Sequence, residues 1–372
     1  MTMKKQAEST NIKAPKTLIV CVQAPYNTTK NIEAYFQEFR NLVKTSRGSY
    51  DEEVTIKLRS IDPAYFLTKG KMLDVKNLCE QHDIEVVIFS DALSAQQERN
   101  LNEFLDCKIV DRTQLILEIF EGAAQSAEGK LQVGIAVLSH RRSRLSGKGI
   151  HLAQQRGGIG MRAGPGEKAK VREARHIDQL ILKHKRELER LEKVRATQRK
   201  RRLESQIPQI ALVGYTNAGK STLLNLLTKS DVLAEDKLFA TLDTTTRSLF
   251  IKGAQKGLIS DTVGFIQQLP HHLIDAFKST LSELQFADLL LHVIDLSDSN
   301  WQDHLEMVHL ILKELGVDKP TLYVFNKADK VQDLEALRPS LESLNPHVII
   351  SARSKKGIQP LIDFLDQWQP AQ

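Results

Sequence analysis

The stretch IALVGYTNAGKSTLLNLLTK, residues 210–229, decides the fold of the C-terminal part of this chain. A short apolar run (210–214) reads as a buried strand, and TLLNLLTK carries helical periodicity. The turn between them, Gly214 to Ser221, has the spacing GxxxxGK[ST]. A glycine loop that leads from a strand into a helix N-terminus turns several backbone N–H groups and the positive end of the helix dipole toward one point. That arrangement cradles anionic phosphate. Gly214, Tyr215, Thr216, Asn217, Ala218 and Gly219 are the expected cradle, with Thr222 in the first helical turn. Lys220 is expected to meet the β- and γ-phosphates, and the Ser221 hydroxyl to ligate Mg²⁺.

Three further motifs follow in order, each at the end of an apolar run. In LISDTVG (258–264), Asp261 is expected to hold the Mg²⁺ shell through water, and the Gly264 amide to sense the γ-phosphate; Thr262 and Val263 lie between them. TLYVFNKAD (321–329) ends in Asn326, Lys327, Ala328 and Asp329. A carboxylate at Asp329 can accept from N1–H and N2–H₂ of guanine together, a donor pair that adenine lacks, and Asn326 would support the base and its loop. Ser351, Ala352 and Arg353 follow the run HVII, where the backbone would meet the guanine oxygen. All four motifs in this order predict a GTP site. Lys220, Gly264 and a switch threonine are the expected catalytic residues.

The switch threonine is expected within FATLDTTTR (239–247), where Thr241, Thr244, Thr245 and Thr246 compete. Phe239, Ala240, Leu242 and Asp243 belong to the same stretch and are expected near the nucleotide. The residue after DTVG is Phe265, where Ras-like proteins carry a water-orienting Gln. A phenyl ring cannot orient water by hydrogen bonding, so hydrolysis is expected to be slow alone and to need a partner. Asn217 has two readings, a ligand for K⁺ beside the phosphates or a loop-stabilising side chain.

Upstream, the chain changes character twice. Residues 1–16 are polar and read as a flexible tail. TLIVCV (17–22), VTIKLRSI (54–61), EVVIFS (85–90) and CKIVD (107–111) read as strands. They alternate with amphipathic stretches at 30–44 and 71–82, and with a helix opened by a Ser94/Gln97 capping box. This alternation predicts a parallel α/β domain over 17–111. From 112 to 205 the period becomes helical. Ile116, Phe120, Ala123, Ala127, Leu131, Gly134 and Leu138 predict one long helix over 113–145, and a second spans about 167–202. The two would form an antiparallel hairpin around a glycine-rich basic loop (146–166). The GTPase domain then occupies 206–372.

The net charge of +6 conceals an asymmetry. Residues 140–202 hold 20 Lys and Arg against 6 Asp and Glu, whereas the rest of the chain holds 32 against 40. All the positive excess thus lies in the hairpin, which points to a polyanionic partner. Arg156, Arg162, Arg172, Arg175, Arg186, Arg199, Arg201 and Arg202 are the candidate RNA-phosphate contacts. Cys21, Cys79 and Cys107 have neither disulfide nor metal spacing. With no apolar run long enough to span a bilayer and no leader-like segment, a cytoplasmic protein without a membrane span is expected, monomeric when free.

GYTNAGKSTLLN, FATLD, DTVGFIQQLPHHLIDAFKSTLSE and ADLLLHVIDLSD closely resemble the HflX family of ribosome-associated GTPases. DRTQLILEIF and EGKLQV (within 111–133) and RGGIGMRAGPGE (156–167) are similar to the helical arm and glycine loop of that family. The resemblance selects Thr241 as the switch threonine and second protein ligand of Mg²⁺. It implies binding to the 50S large ribosomal subunit and its rRNA, and splitting or rescue of stalled or idle 70S ribosomes. The chain departs from the family pattern at an inserted Ala163, and at KAKVREARH, which is basic where the family is acidic. The alternative is a GTP-timed ribosome-assembly or RNA-binding factor without splitting activity. A third reading, a signalling module with a protein partner, predicts binding that is insensitive to salt.

Overall fold

A computed structural model describes residues 15–27, 29, 31–146, 165–204, 207–228, 238–239, 242, 245–267 and 282–370, with helix side chains at 146, 165–169, 196 and 198–204 excepted. Within it the chain divides into two compact units, one of residues 1–30 and 47–112, the other of 31–46 and 113–372.

The first unit is built on a four-stranded parallel sheet. Its strands are β1 (Thr17–Gln23), β2 (Glu52–Lys57), β3 (Val86–Phe89) and β4 (Lys108–Val110), in the order β2-β1-β3-β4. The central strands TLIVCV and VVIF are fully buried, which is why they read as unbroken apolar runs rather than alternating ones. Helices α2 (Lys69–His82) and α3 (Ala95–Leu105) belong to this unit, and Met72, Val75, Cys79, Leu101 and Leu105 contribute to its core. Ser94 starts α3 with a complete capping box. Its Oγ accepts from Gln97 N–H at 3.2 Å, and Gln97 Oε1 accepts from Ser94 N–H at 2.9 Å.

Helix α1 (Ile32–Arg47), although it follows β1 in the chain, groups with the second unit up to Ser46. Its period of three and four places Tyr35, Phe36, Phe39, Leu42 and Val43 on a buried face. The single helix expected over 113–145 is two: α4 (Arg112–Ala123) and α5 (Ala127–Ser146). The apolar period continues across the junction, but Ser126 interrupts it as a cap. Its Oγ accepts from Gly129 N–H at 2.9 Å, and its carbonyl accepts the first bond of the new helix from Lys130 at 3.0 Å.

Helix α6 (Pro165–Glu204) runs antiparallel along α5. Arg195 pairs with Glu128 at 2.7 Å near one end, and Arg142 with Asp178 at 3.0 Å nearer the other. Between them Gly134 lets the helices approach closely, since a Cβ there would stand 3.2 Å from the His184 ring.

The rest of the second unit is a six-stranded sheet, β10-β9-β8-β5-β7-β6. The strands are β5 (Gln209–Gly214), β6 (Thr245–Ile251), β7 (Ala254–Asp261), β8 (Leu289–Asp295), β9 (Thr321–Asn326) and β10 (His347–Ile349). All pairs are parallel except β6 with β7, a hairpin at the sheet edge. Helices α7 (Lys220–Thr228), α8 (Trp301–Glu314), α9 (Leu334–Glu342) and α10 (Gln359–Gln367) connect or follow them. Leu223 and Leu224 of α7 join Leu212, Leu291, Val324 and Leu361 in one apolar core, while Trp301, Leu305 and Phe325 belong to another. Because the strands are parallel, their carboxyl ends share one edge, and the site is assembled there.

Candidate functional site

The phosphate loop leaves the carboxyl end of β5 with Gly214 at φ 150°, and enters α7 through Gly219 at φ 98°. Both positions exclude a side chain. A Cβ on Gly214 would fall on the Val293 carbonyl oxygen, and one on Gly219 on the Asn326 amide nitrogen. Asn217 takes the left-handed conformation, φ 60°, which asparagine tolerates better than most residues. Lys220, the first residue of α7, is buried, and its Nζ donates to the carbonyls of Gly214 (3.0 Å) and Tyr215 (2.8 Å). Burial pushes its ammonium down to about 8, against a smaller opposing effect of Asp261. A desolvated cation of this kind pairs strongly with an anion brought to it.

The residues of DTVG arrive beside this loop at the end of β7. Ser221 Oγ donates to Asp261 Oδ2 at 2.7 Å, and Asp261 is fully buried. Thr262 Oγ1 donates to the Leu212 carbonyl at 2.7 Å, and Val263 is buried. Gly264 lies directly on the loop, where an added Cβ would stand 2.8 Å from Thr216 Cγ2 and 3.0 Å from Lys220 Nζ. Phe265 is buried and pairs backbone to backbone with the loop. Thr216 N–H donates to Phe265 O at 2.8 Å, and Phe265 N–H to Gly214 O at 3.2 Å. The hydroxyl of Ser221 and the carboxylate of Asp261 are hard oxygen donors held together, a set that suits Mg²⁺.

The end of β9 carries the third motif. Asn326 is buried and bridges three segments: its Nδ2 donates to the Ala218 carbonyl at 2.8 Å, and its Oδ1 accepts from Ala352 N–H at 2.9 Å. Lys327, at φ 61°, makes an ion pair with Asp295 at 2.7 Å. Ala328 N–H donates to Ile350 O at 3.2 Å. Ser351 Oγ donates to Asp329 Oδ1 at 2.6 Å, and Arg353 stands 4.0 Å from the other carboxylate oxygen. The Ser351 hydrogen bond, with a lesser contribution from Arg353 and Lys330, holds the Asp329 carboxyl below the usual carboxylate range. The ionised form is the one that can accept from two N–H donors at once. A cleft of about 570 Å³ next to the phosphate loop is lined by Tyr215, Thr216, Asn217, Asp295, His304 and Lys327, and by Glu38 and Asn41 of α1.

Of the residues singled out in the sequence, Ala240, Thr241, Asp243, Thr244, Arg156 and Arg162 lie outside the described residues, as do the side chains of Arg199, Arg201 and Arg202. Leu238, Phe239 and Leu242 are buried, and Phe239 meets the Phe120 ring edge-on at 4.7 Å. Thr245 and Thr246 sit in β6, opposite Asp261 and Ser260. Thr222 is exposed on the first turn of α7. Arg172, Arg175 and Arg186 lie on α6.

Several residues of the site carry no local sequence signal. Asp295 lies in VIDLSD with no motif to mark it as the partner of Lys327. Tyr215 entered only as part of the cradle, yet its ring stacks on His304 at 3.7 Å and 9°, and its hydroxyl reaches Glu38 of α1. His292 lies buried beneath α8 near His309 and Tyr323, and burial, with lesser effects of His309 and Lys220, pushes its imidazole down to about 3. No local pattern announces such contacts.

A strand–loop–helix phosphate cradle, a Ser–Asp pair and an asparagine that ties the base-side loops to it define a P-loop GTP hydrolase. Comparison with known proteins narrows the class. A family described as GTP-binding GTPase N-terminal matches residues 33–121, GTP-binding GTPase Middle Region matches 123–202, and 50S ribosome-binding GTPase matches 209–327. The GTPase HflX of Magnetococcus marinus is 45% identical over 351 residues, 94% of this chain and 81% of that protein. The GTPase HflX of Escherichia coli is 41% identical over 350 residues, 94% and 82% of the two chains. A GTP-binding protein from the archaeon Sulfolobus solfataricus, solved in complex with GDP, superposes with a TM-score of 0.50 at 26% identity, covering 95% of this chain and 98% of that one. The chain belongs to the HflX family of GTPases.

Among the described residues no helix is long and apolar enough to cross a membrane.

Proposed function

We propose that this GTPase is a nucleotide-driven switch that associates with the 50S large ribosomal subunit, contacts its rRNA through the α5–α6 hairpin, and splits or rescues stalled or idle 70S ribosomes. The observation that carries the proposal is the concentration of positive charge. Residues 140–202 hold 20 basic against 6 acidic residues, on a hairpin continuous with a GTPase domain. Phosphate contacts from such a surface position a protein on RNA without reading sequence. Arg172, Arg175, Arg186, Arg199, Arg201 and Arg202 on α6, with Arg156 and Arg162 of the loop, are the proposed contacts.

At the nucleotide, the backbone N–H groups of the loop and the α7 N-terminus take the phosphates, and Gly214 to Thr222 form the cradle. The Lys220 ammonium offsets the charge that develops on the β/γ oxygens during hydrolysis. The Gly264 amide reads the γ-phosphate, and Asp329 accepts from guanine N1–H and N2–H₂. Asn326 and the Ser351–Arg353 backbone hold the base-side wall. Ser221 and Thr241 would ligate Mg²⁺ directly, and Asp261 through water. When bound, Mg²⁺ neutralises charge across the β- and γ-phosphates. Asn217 is the candidate for an additional K⁺. Phe265 cannot orient water, so turnover is slow alone and rises on the ribosome. The protein acts in the cytoplasm and is monomeric when free.

The test is GTP turnover with and without purified large subunits, together with sedimentation of intact ribosomes in the presence of a non-hydrolysable GTP analogue. Faster turnover and dissociated subunits are expected. Unchanged intact particles, with turnover still stimulated, would favour the second reading, a GTP-timed assembly or RNA-binding factor. The inserted Ala163 and the basic run KAKVREARH are the observations that favour it. Subunit binding should weaken steeply as salt rises; salt-insensitive binding would point to a protein partner instead.

A further inference from the structure

The DTVG segment is held down on the phosphate loop by bonds that converge on Tyr215. Its flanking backbone pairs with Phe265, through Thr216 N–H to Phe265 O at 2.8 Å and Phe265 N–H to Gly214 O at 3.2 Å. Its phenol oxygen accepts from Gln267 N–H at 2.8 Å, and its own proton goes to the Glu38 carboxylate. The ring is fixed between these bonds by its stack on His304. Gly264 consequently lies against Lys220, with the position of a Cβ only 3.0 Å from Nζ, and Nζ itself turns to the Gly214 and Tyr215 carbonyls.

A third phosphate needs room at this spot. It must meet both the Lys220 ammonium and the Gly264 amide, and the Gly264 residue already stands close to that ammonium, the position of its Cβ lying 3.0 Å from Nζ. A diphosphate makes no such demand. We propose that Tyr215 is a specificity-determining residue for nucleotide state: its hydroxyl, steered by Glu38, holds the segment after DTVG on the phosphate loop and so favours GDP over GTP. Glu38 is a positioning residue that acts through the phenol. Helix α1 thereby gains a direct line to the γ-phosphate side of the site. The inference rests on the reading of Gly264 as the γ-phosphate-sensing amide.

One hydrogen bond of net worth about 1 kcal/mol sets the scale, equivalent to roughly 5-fold in relative affinity. Fluorescent GDP and a fluorescent non-hydrolysable GTP analogue are titrated against the full-length wild type, Tyr215→Phe, Glu38→Gln, the double variant and Gly264→Ala. Tyr215→Phe keeps the ring and its stack while removing the hydroxyl, and a thermal melt checks that it folds. The affinity for the analogue relative to GDP should rise about 5-fold in Tyr215→Phe, and in the same direction but less in Glu38→Gln. The double variant should match Tyr215→Phe, because the proposed effect of Glu38 on nucleotide state passes through that hydroxyl. A ratio that stays put or falls in Tyr215→Phe, or a double variant whose effects add, overturns the proposal. Gly264→Ala tests the reading beneath it. Analogue binding unaffected there removes the γ-phosphate role of Gly264 and the tyrosine proposal with it. Weakened analogue binding there, with an unmoved Tyr215→Phe ratio, overturns the tyrosine proposal alone.

Discussion

Asn326 Nδ2 donates to the carbonyl oxygen of Ala218 at 2.8 Å, tying the end of β9 to the phosphate loop across 108 residues of sequence. The same side chain accepts from Ala352 N–H at 2.9 Å. Replacement by alanine removes both bonds and leaves two buried backbone groups without them. Asn326→Ala is expected to lower the stability of the second unit by roughly 2 kcal/mol and to weaken GDP binding as well. Denaturant unfolding with and without GDP measures both effects.

Lys220→Ala removes the buried cation that faces the phosphates. Affinity for GTP should fall roughly 10- to 100-fold, the scale of a charged hydrogen bond, while the melting temperature without nucleotide rises or holds, because a desolvated ammonium is gone. Nucleotide titration and a thermal melt separate the two.

Asp329→Asn exchanges an acceptor for a side chain that presents a donor. Guanine loses its match and xanthine, with an oxygen where guanine carries N2–H₂, gains one. Competition between GTP and XTP should move toward XTP by about 100-fold. An unaltered GTP preference would remove Asp329 from base recognition.

His292 carries a pH dependence that can be assigned a sign. Burial holds its imidazole near 3 in the folded chain, well below its ordinary value of about 6.5. A depressed folded value means stability is fully present above about 6.5 and is lost as pH falls toward 3. Between pH 7 and pH 5 the loss is about 2 kcal/mol. His292→Leu should flatten that part of the stability–pH curve, measured by urea midpoints at each pH.

In the hairpin, Glu128 is almost wholly buried and meets Arg195 at 2.7 Å. Arg195→Met takes the cation away from a buried carboxylate that keeps the Gln132 hydrogen bond, and should cost about 3 kcal/mol, whereas Glu128→Leu with Arg195→Met should recover most of it. Thermal melts followed by far-ultraviolet circular dichroism give the comparison.

The elements most legible in the sequence were those with a local cause. The runs TLIVCV and VVIF are strands because a parallel sheet buried on both faces demands unbroken apolar residues, and the glycines of 214–219 mark a turn that side chains cannot enter. The Ser94 capping box was readable because its partners lie three residues apart. The break between α4 and α5 is not legible in the sequence because apolar residues keep their helical spacing across it, while Ser126 starts the second helix by hydrogen bonds that hydropathy does not register.

What the sequence alone determined, then, is the inventory: a phosphate loop, DTVG, NKAD and SAR in order, an α/β region before them, and a basic hairpin between. These follow from short-range rules of spacing, turn chemistry and charge. Only the tertiary structure decided that Asn326 would join three loops, that Lys327 would take Asp295 as its partner, and that helix α1 would place Glu38 against Tyr215. The first two contacts arise when parallel strands bring their carboxyl ends to one edge, and the third when α1 packs beside the phosphate loop, so that residues 177 positions apart meet for reasons of packing that no local period encodes.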